Sequence, residues 1–120
     1  MGQYSFSRAE RILRSKDFTL VRKEGERVAS KNLVIFLKTN KLGIKRFGLG
    51  VSTKIGEAVK RNRIKRLLRE FFRLNKEVFP LSTDVFISVK QGFNPAGYKE
   101  VEAEIKSVIL GCNFGREVKP

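Results

Sequence analysis

The stretch Glu57–Lys76, EAVKRNRIKRLLREFFRLNK, constrains this chain more than any other. It holds no proline or glycine, and its Leu, Arg, Lys, Glu and Ala all favour helix. Ile64, Leu67, Leu68, Phe71 and Phe72 recur at helical spacing and define one apolar stripe. At about 100° per residue, Asn62, Arg66, Arg69 and Arg73 collect on the opposite side, flanked by Arg61 and Lys65. Eight of the twenty residues are Lys or Arg and two are acidic, so the segment carries +6. Such a helix must bury its stripe in a core and turns a basic face outward. A solvated basic face is the ordinary meaning of a charge run. Solvated faces, however, mix signs at i,i+4 spacing, and only Glu57 and Glu70 dilute this one. Arginine also binds phosphate through a planar fork of donors. The stretch therefore points to nucleic acid.

The rest of the chain supports that reading. Its 26 basic and 12 acidic residues leave +14 at pH 7. Residues 1–31 contribute +4, 32–56 +5, 57–76 +6, 77–99 nothing and 100–120 −1. A field of this size takes nucleic acid as its default partner, with an anionic membrane second. The length of 120 residues predicts one domain, 1–120. No apolar run reaches the roughly 18 residues of a membrane span, and Met1–Arg14 lacks the apolar block of a signal peptide. The expectation is a cytoplasmic protein with no membrane partner.

The absences narrow the chemistry. With no histidine, the usual acid/base group near neutral pH is missing, and a histidine-dependent ribonuclease mechanism is excluded. The lone Cys112 permits neither an intrachain disulfide nor a Cys/His zinc site; a small packing residue is its plainest role. The acids form no evident carboxylate cluster. No catalytic or metal-binding residue is assigned.

In chain order, residues 1–14 read as an extended basic arm. Ser15 can cap a helix running to about Lys23, with Gly25 ending it and Phe18 and Val21 on one face. Asn32–Thr39 reads as a strand, with Leu33, Ile35 and Leu37 facing one way and Val34, Phe36 and Lys38 the other. A short strand at Val28–Ser30 is either separate or part of it. Asn40–Gly43 is a turn. Arg46–Thr53 reads as a second strand, with Phe47, Leu49 and Val51 on one face and Gly48, Gly50 and Ser52 on the other. A Gly-Gly-Ser face admits another backbone or a ligand closely; a snug helix contact explains it equally well. After the basic helix and a loop at Pro80–Thr83, Asp84–Gln91 reads as a strand placing Lys90 on the Phe86–Ser88 side. Tyr98–Leu110 reads as a closing amphipathic helix, ended by Gly111. This order predicts helices packed on one small sheet with a strand-helix-strand unit at its centre.

Gly48–Glu70, GLGVSTKIGEAVKRNRIKRLLRE, resembles the signature of the bacterial ribonuclease P protein family. Its heart is Arg61-Asn62-Arg63, followed by Lys65, Arg66 and Arg69. Arg11–Gly25, with its Asp17-Phe18 pair, is similar to the family's first helix. The similarity covers about residues 6–110, the expected ordered core. The resemblance implies an α/β (α+β) two-layer sandwich of order α-β-β-β-α-β-α. Its small mixed sheet would be like the second domain of ribosomal protein S5, with a left-handed β-α-β crossover. It implies a protein component of ribonuclease P that assists removal of the 5′ leader of precursor tRNA, the chemistry belonging to the RNA subunit. Lys60, Arg61, Asn62, Arg63, Lys65, Arg66, Arg69 and Arg73 match the basic helix facing that RNA. Phe18, Arg22, Phe36, Gly48, Gly50, Ser52, Lys54 and Lys90 match or border the leader cleft. Arg22 departs from the pattern, standing where the family often has an aromatic. The implied partners are ribonuclease P RNA and the precursor leader, in a 1:1 bacterial ribonucleoprotein. No cofactor is held strongly by the protein, and the magnesium is held mainly by RNA. A small ribosomal protein fits size and composition equally well; only the Arg-Asn-Arg stretch and the first helix separate the two. An autonomous nuclease lacks an evident catalytic group.

Overall fold

The computed structural model describes residues 15–110. Helix α1 (Ser15–Glu24) leads into strands β1 (Glu26–Ala29), β2 (Leu33–Thr39) and β3 (Arg46–Gly50). Helix α2 (Ala58–Leu74), strand β4 (Thr83–Val89) and helix α3 (Tyr98–Ile109) follow. The order is the expected α-β-β-β-α-β-α. The mixed sheet runs β1-β2-β4-β3. β1 with β2 and β2 with β4 are antiparallel, while β3 and β4 are parallel. A parallel pair cannot be joined by a tight turn; α2, lying between β3 and β4 in sequence, makes the connection.

Strand alternation sorts the side chains. Leu33, Ile35 and Leu37 of β2, Phe47 of β3 and Val85, Ile87 and Val89 of β4 form one buried face. Against it pack Ile64, Leu68, Phe71 and Phe72 of α2 and Val101, Ile105 and Ile109 of α3. Phe47 stacks on Phe72 at 4.8 Å, and Phe71 meets Phe79 edge-on at 6.2 Å. Each such side chain contributes about 1.5–3 kcal/mol on burial. The four buried α2 residues thus fix the rotation of the helix, and with it the direction of the arginines. Leu67 is only half-buried at the margin of the stripe. Helix α1 lies on the other face, where Val21 and Phe18 pack on Phe86 and Phe36.

Several boundaries differ from the sequence reading. The segment at 28–30 is the end of a separate strand, β1, whose Glu26–Ala29 pairs with Leu37–Val34. β3 stops at Gly50 rather than Thr53. The Ser52 side chain accepts the Lys54 N–H at 3.1 Å and opens a 3₁₀ turn, Thr53–Ile55. A short hydroxyl that binds backbone two residues ahead competes with the ladder, so Ser52 leaves the Gly48–Gly50 face. β4 runs Thr83–Val89, and Lys90 extends its pairing with β2 by one backbone hydrogen bond, N–H to the Asn32 carbonyl at 2.8 Å. α2 ends at Leu74, and Lys76 starts a further 3₁₀ turn, Lys76–Val78. The basic arm at 1–14, the helix stop at Gly111 and Cys112 lie outside the described residues. Among the described residues no helix is long and apolar enough to cross a membrane.

Candidate nucleic-acid interface

The outer face of α2 carries the first half of the site. Asn62, Arg66 and Arg69 are exposed, with Lys60, Arg61 and Lys65 half-buried beside them. The Arg-Asn-Arg stretch divides its labour. Arg61 Nε donates to the Gly56 carbonyl at 3.1 Å and ties the helix to the turn before it. Arg63 sits about 100° round from Asn62, toward α3. It donates to the Pro95 and Ala96 carbonyls at 2.8 and 2.9 Å. Arg73 forms a forked pair with Glu70, with donor–acceptor distances of 3.1 and 2.8 Å. Of the eight expected RNA-facing residues, Arg61, Arg63 and Arg73 therefore have intramolecular partners and Asn62, Arg66 and Arg69 project outward. Spacing alone did not separate these roles, because the acceptors for Arg63 lie over thirty residues away in sequence.

The second half is the sheet face that bears α1. Strand register places side chains in rows: Arg27, Phe36, Phe86 and Gly48 in one, and Ala29, Val34, Ser88 and Gly50 in the next. Residues in register across paired strands share a face. Phe86 is the hub. Phe18 lies 5.2 Å from it, Phe36 6.3 Å, and the Arg22 guanidinium carbon 5.6 Å above its ring. Gly48 is where α1 seats: a Cβ there would stand 2.6 Å from Phe18 Cε1. A Cβ on Gly50 would stand 3.0 Å from Phe86 Cζ. The Gly48 position is thus filled by Phe18 and is not open to a ligand. The adjoining row is accessible: Ala29 is exposed and Val34, Ser88 and Gly50 are half-buried, as is Phe36. The result is a shallow groove with an apolar floor, an arginine on its α1 wall, and exposed Arg27 at its outer end. Arg27, Val34, Phe86 and Ser88 were not singled out by the sequence. Phe86 and Ser88 shared a side in the strand alternation, but cross-strand register was needed to place them.

Two polar networks hold this surface in shape. Asp84, only 4% exposed, accepts from Arg46 Nε and Nη2 at 2.8 and 2.7 Å and from Asn40 Nδ2 at 2.8 Å. The hydrogen bonds that Arg46 donates to Asp84 raise the Arg46 pKa against the opposing pull of burial, with the Asp84 and Asp17 charges adding to it. Arg46 Nη1 also reaches Asp17 at 3.8 Å, which anchors the start of α1. At the far end, Glu104 of α3 accepts from the Ser30 hydroxyl and from Asn32 N and Nδ2, the last two at 2.8 and 2.9 Å. Burial pushes the Glu104 carboxyl up, but the Asn32 and Ser30 hydrogen bonds and nearby Lys90 outweigh it and leave its pKa lowered. Lys90 Nζ donates to the Ser30 carbonyl at 2.6 Å. Its ammonium is thus held beside the Glu104 network, while its backbone N–H continues the strand pairing by donating to the Asn32 carbonyl at 2.8 Å.

The two halves are continuous in the chain. Gly50, at the end of the groove, is followed by exposed Lys54 on the 3₁₀ turn and then by Lys60 and Arg61 at the start of α2. Among the described residues no three His, Cys, Asp or Glu side chains come together as metal ligands. Basic helix, aromatic groove and mixed sheet define a small RNA-binding protein of the α+β class.

Comparison with known proteins makes the assignment specific. The family model described as Ribonuclease P matches residues 6–112, and the chain belongs to the bacterial ribonuclease P protein family. It is 40% identical over 105 residues to the ribonuclease P protein component of Syntrophus aciditrophicus, covering 88% of each chain. Its fold matches the solved RNase P protein of Staphylococcus aureus with a TM-score of 0.78 at 32% identity, covering 86% of this chain and 94% of that one. The RNase P protein from Thermotoga maritima matches with a TM-score of 0.73 at 30% identity, covering 82% and 93%.

Proposed function

We propose that this chain holds precursor tRNA against the catalytic RNA of ribonuclease P. The exposed side of α2, led by Asn62, Arg66 and Arg69 with Lys60 and Lys65, binds the RNA subunit through its phosphates. Such contacts supply affinity and set orientation. The groove of Phe36, Gly50 and Val34, walled by Phe18 and Arg22 and continued by Lys54, takes the single-stranded 5′ leader. Single strands are bound by aromatic stacking combined with cationic backbone contacts. The RNA subunit carries the chemistry and the divalent ions. This chain contributes position and charge neutralisation, in a cytoplasmic 1:1 ribonucleoprotein built on one protein domain.

The observation that carries the reading is the run from aromatic groove through Lys54 to outward-facing Arg66 and Arg69, which can engage two RNA segments at once. The test is cleavage of a precursor tRNA by ribonuclease P RNA at low magnesium, with and without the protein. The protein restores cleavage. Arg66→Ala weakens RNA-subunit binding, whereas Phe36→Ala mainly reduces the preference for precursor over mature tRNA. Equal loss of that preference in both variants refutes the division of labour. Failure of the wild-type protein to restore cleavage by its own RNA refutes the function.

A further inference from the structure

Arg22 is placed to read a base. Its guanidinium carbon lies 5.6 Å above the Phe86 ring, and Phe86 is itself 5% exposed, covered in part by Phe18 and Phe36. Among the described residues no hydrogen bond or ion pair engages the Arg22 guanidinium. Phe86 therefore acts as a support for this cation, fixing it over the sheet through the attraction between a cation and a ring face. The neighbouring Phe36 is half-buried, and its centroid is 6.3 Å from that of Phe86. A base stacked on Phe36 would occupy a layer above the sheet rings, the layer in which Arg22 sits over Phe86, and would turn an edge toward the guanidinium.

We propose that Arg22 is a specificity-determining residue that selects guanine at the nucleotide stacked on Phe36. The inference rests on the leader-binding reading of the groove. A guanidinium has only donors. Guanine offers two adjacent acceptors, O6 and N7, on one edge; adenine pairs an acceptor with a donor there, and cytosine presents a donor. A side chain with two forked donors therefore matches guanine and meets a mispaired donor on adenine. Lysine at this position keeps the charge and loses the fork. Phenylalanine keeps a stacking surface and loses both.

The test uses holoenzyme reconstituted with its ribonuclease P RNA and precursor tRNAs in which each leader nucleotide is varied in turn, alongside a leaderless tRNA. RNA-subunit affinity reports that each variant is folded. The expected result is a preference for guanine over adenine at one leader position, roughly five- to tenfold in affinity, the range of a bidentate contact in an open groove. Arg22→Lys and Arg22→Phe both reduce that ratio to within about twofold of unity while still binding the leader-bearing substrate more tightly than the leaderless one. Absence of a guanine preference in the wild type, with leader discrimination present, overturns the role of Arg22 alone. So does a preference that survives in Arg22→Phe. Equal wild-type affinity for leader-bearing and leaderless tRNA overturns the leader-binding reading itself, and this inference with it.

Discussion

Gly48→Ala tests whether α1 is seated on the sheet as described. The new methyl group would stand 2.6 Å from Phe18 Cε1 and 3.2 Å from Phe86 Cδ1. Ordinary contact begins near 3.4 Å, so the Phe18 ring must withdraw by about 1 Å. It has little room, because it packs on Phe86 at 5.2 Å and its helix is held by buried Val21 and the Asp17–Arg46 pair. Forcing an extra carbon into such a contact costs about 1–3 kcal/mol. For a chain of this size that lowers Tm by roughly 4–12 °C. Thermal melting reads the stability, and precursor against mature tRNA affinity reads the groove. RNA-subunit affinity stays within about twofold, because α2 packs on the opposite face of the sheet. Phe18→Leu in the Gly48→Ala background restores part of the loss, with a coupling of about 1 kcal/mol in the double-mutant cycle. Unchanged Tm together with unchanged leader discrimination in Gly48→Ala refutes the placement of Phe18.

Arg63→Ala removes two hydrogen bonds from a charged donor to the Pro95 and Ala96 carbonyls. It destabilises by roughly 2–3 kcal/mol, whereas Arg66→Ala, on the exposed face, stays within about 0.5 kcal/mol; equal denaturation midpoints for the two variants contradict the clamp. Glu104→Gln destabilises by about 1–2 kcal/mol at neutral pH through weakened hydrogen bonds to Ser30 and Asn32. Since the native Glu104 pKa is lowered, its contribution is complete above the unfolded value of about 4.3 and is lost as pH falls through the native one. The stability gap between wild type and Glu104→Gln therefore closes below about pH 4, and a gap that widens on acidification reverses the sign of the argument. Lys54, Lys60, Lys65, Arg66 and Arg69 are the cations assigned to phosphate, and five such contacts give a slope of log affinity against log salt of about −3.5 on single-stranded RNA. A slope near zero removes the electrostatic basis of binding.

The amphipathic helix at 57–76 was legible because its signal is local. Ile64, Leu68, Phe71 and Phe72 mark the buried side by periodicity, and the structure buries all four. The three main strands were legible for the same reason, each alternating over its own length. Their ends were less so. Ser52 lies beyond its strand because its hydroxyl finds a backbone N–H two residues on, and the Lys90 ammonium is engaged by the Ser30 carbonyl sixty residues back. The first is a close local competition, and the second depends on packing that local pattern does not encode.

The order of elements, the apolar and basic sides of α2 and the family signature around Arg61-Asn62-Arg63 were all readable from the chain before it folded. These depend on residue type and on spacings within one helix or strand. Tertiary structure decided which arginines face outward, that Phe18 fills the notch at Gly48, and that Phe86 supports Arg22. It also decided that Arg27, Phe36, Phe86 and Gly48 form one row. Each of these depends on strand register and helix seating, which bring together residues far apart in the chain and are fixed only when the whole apolar set is buried at once.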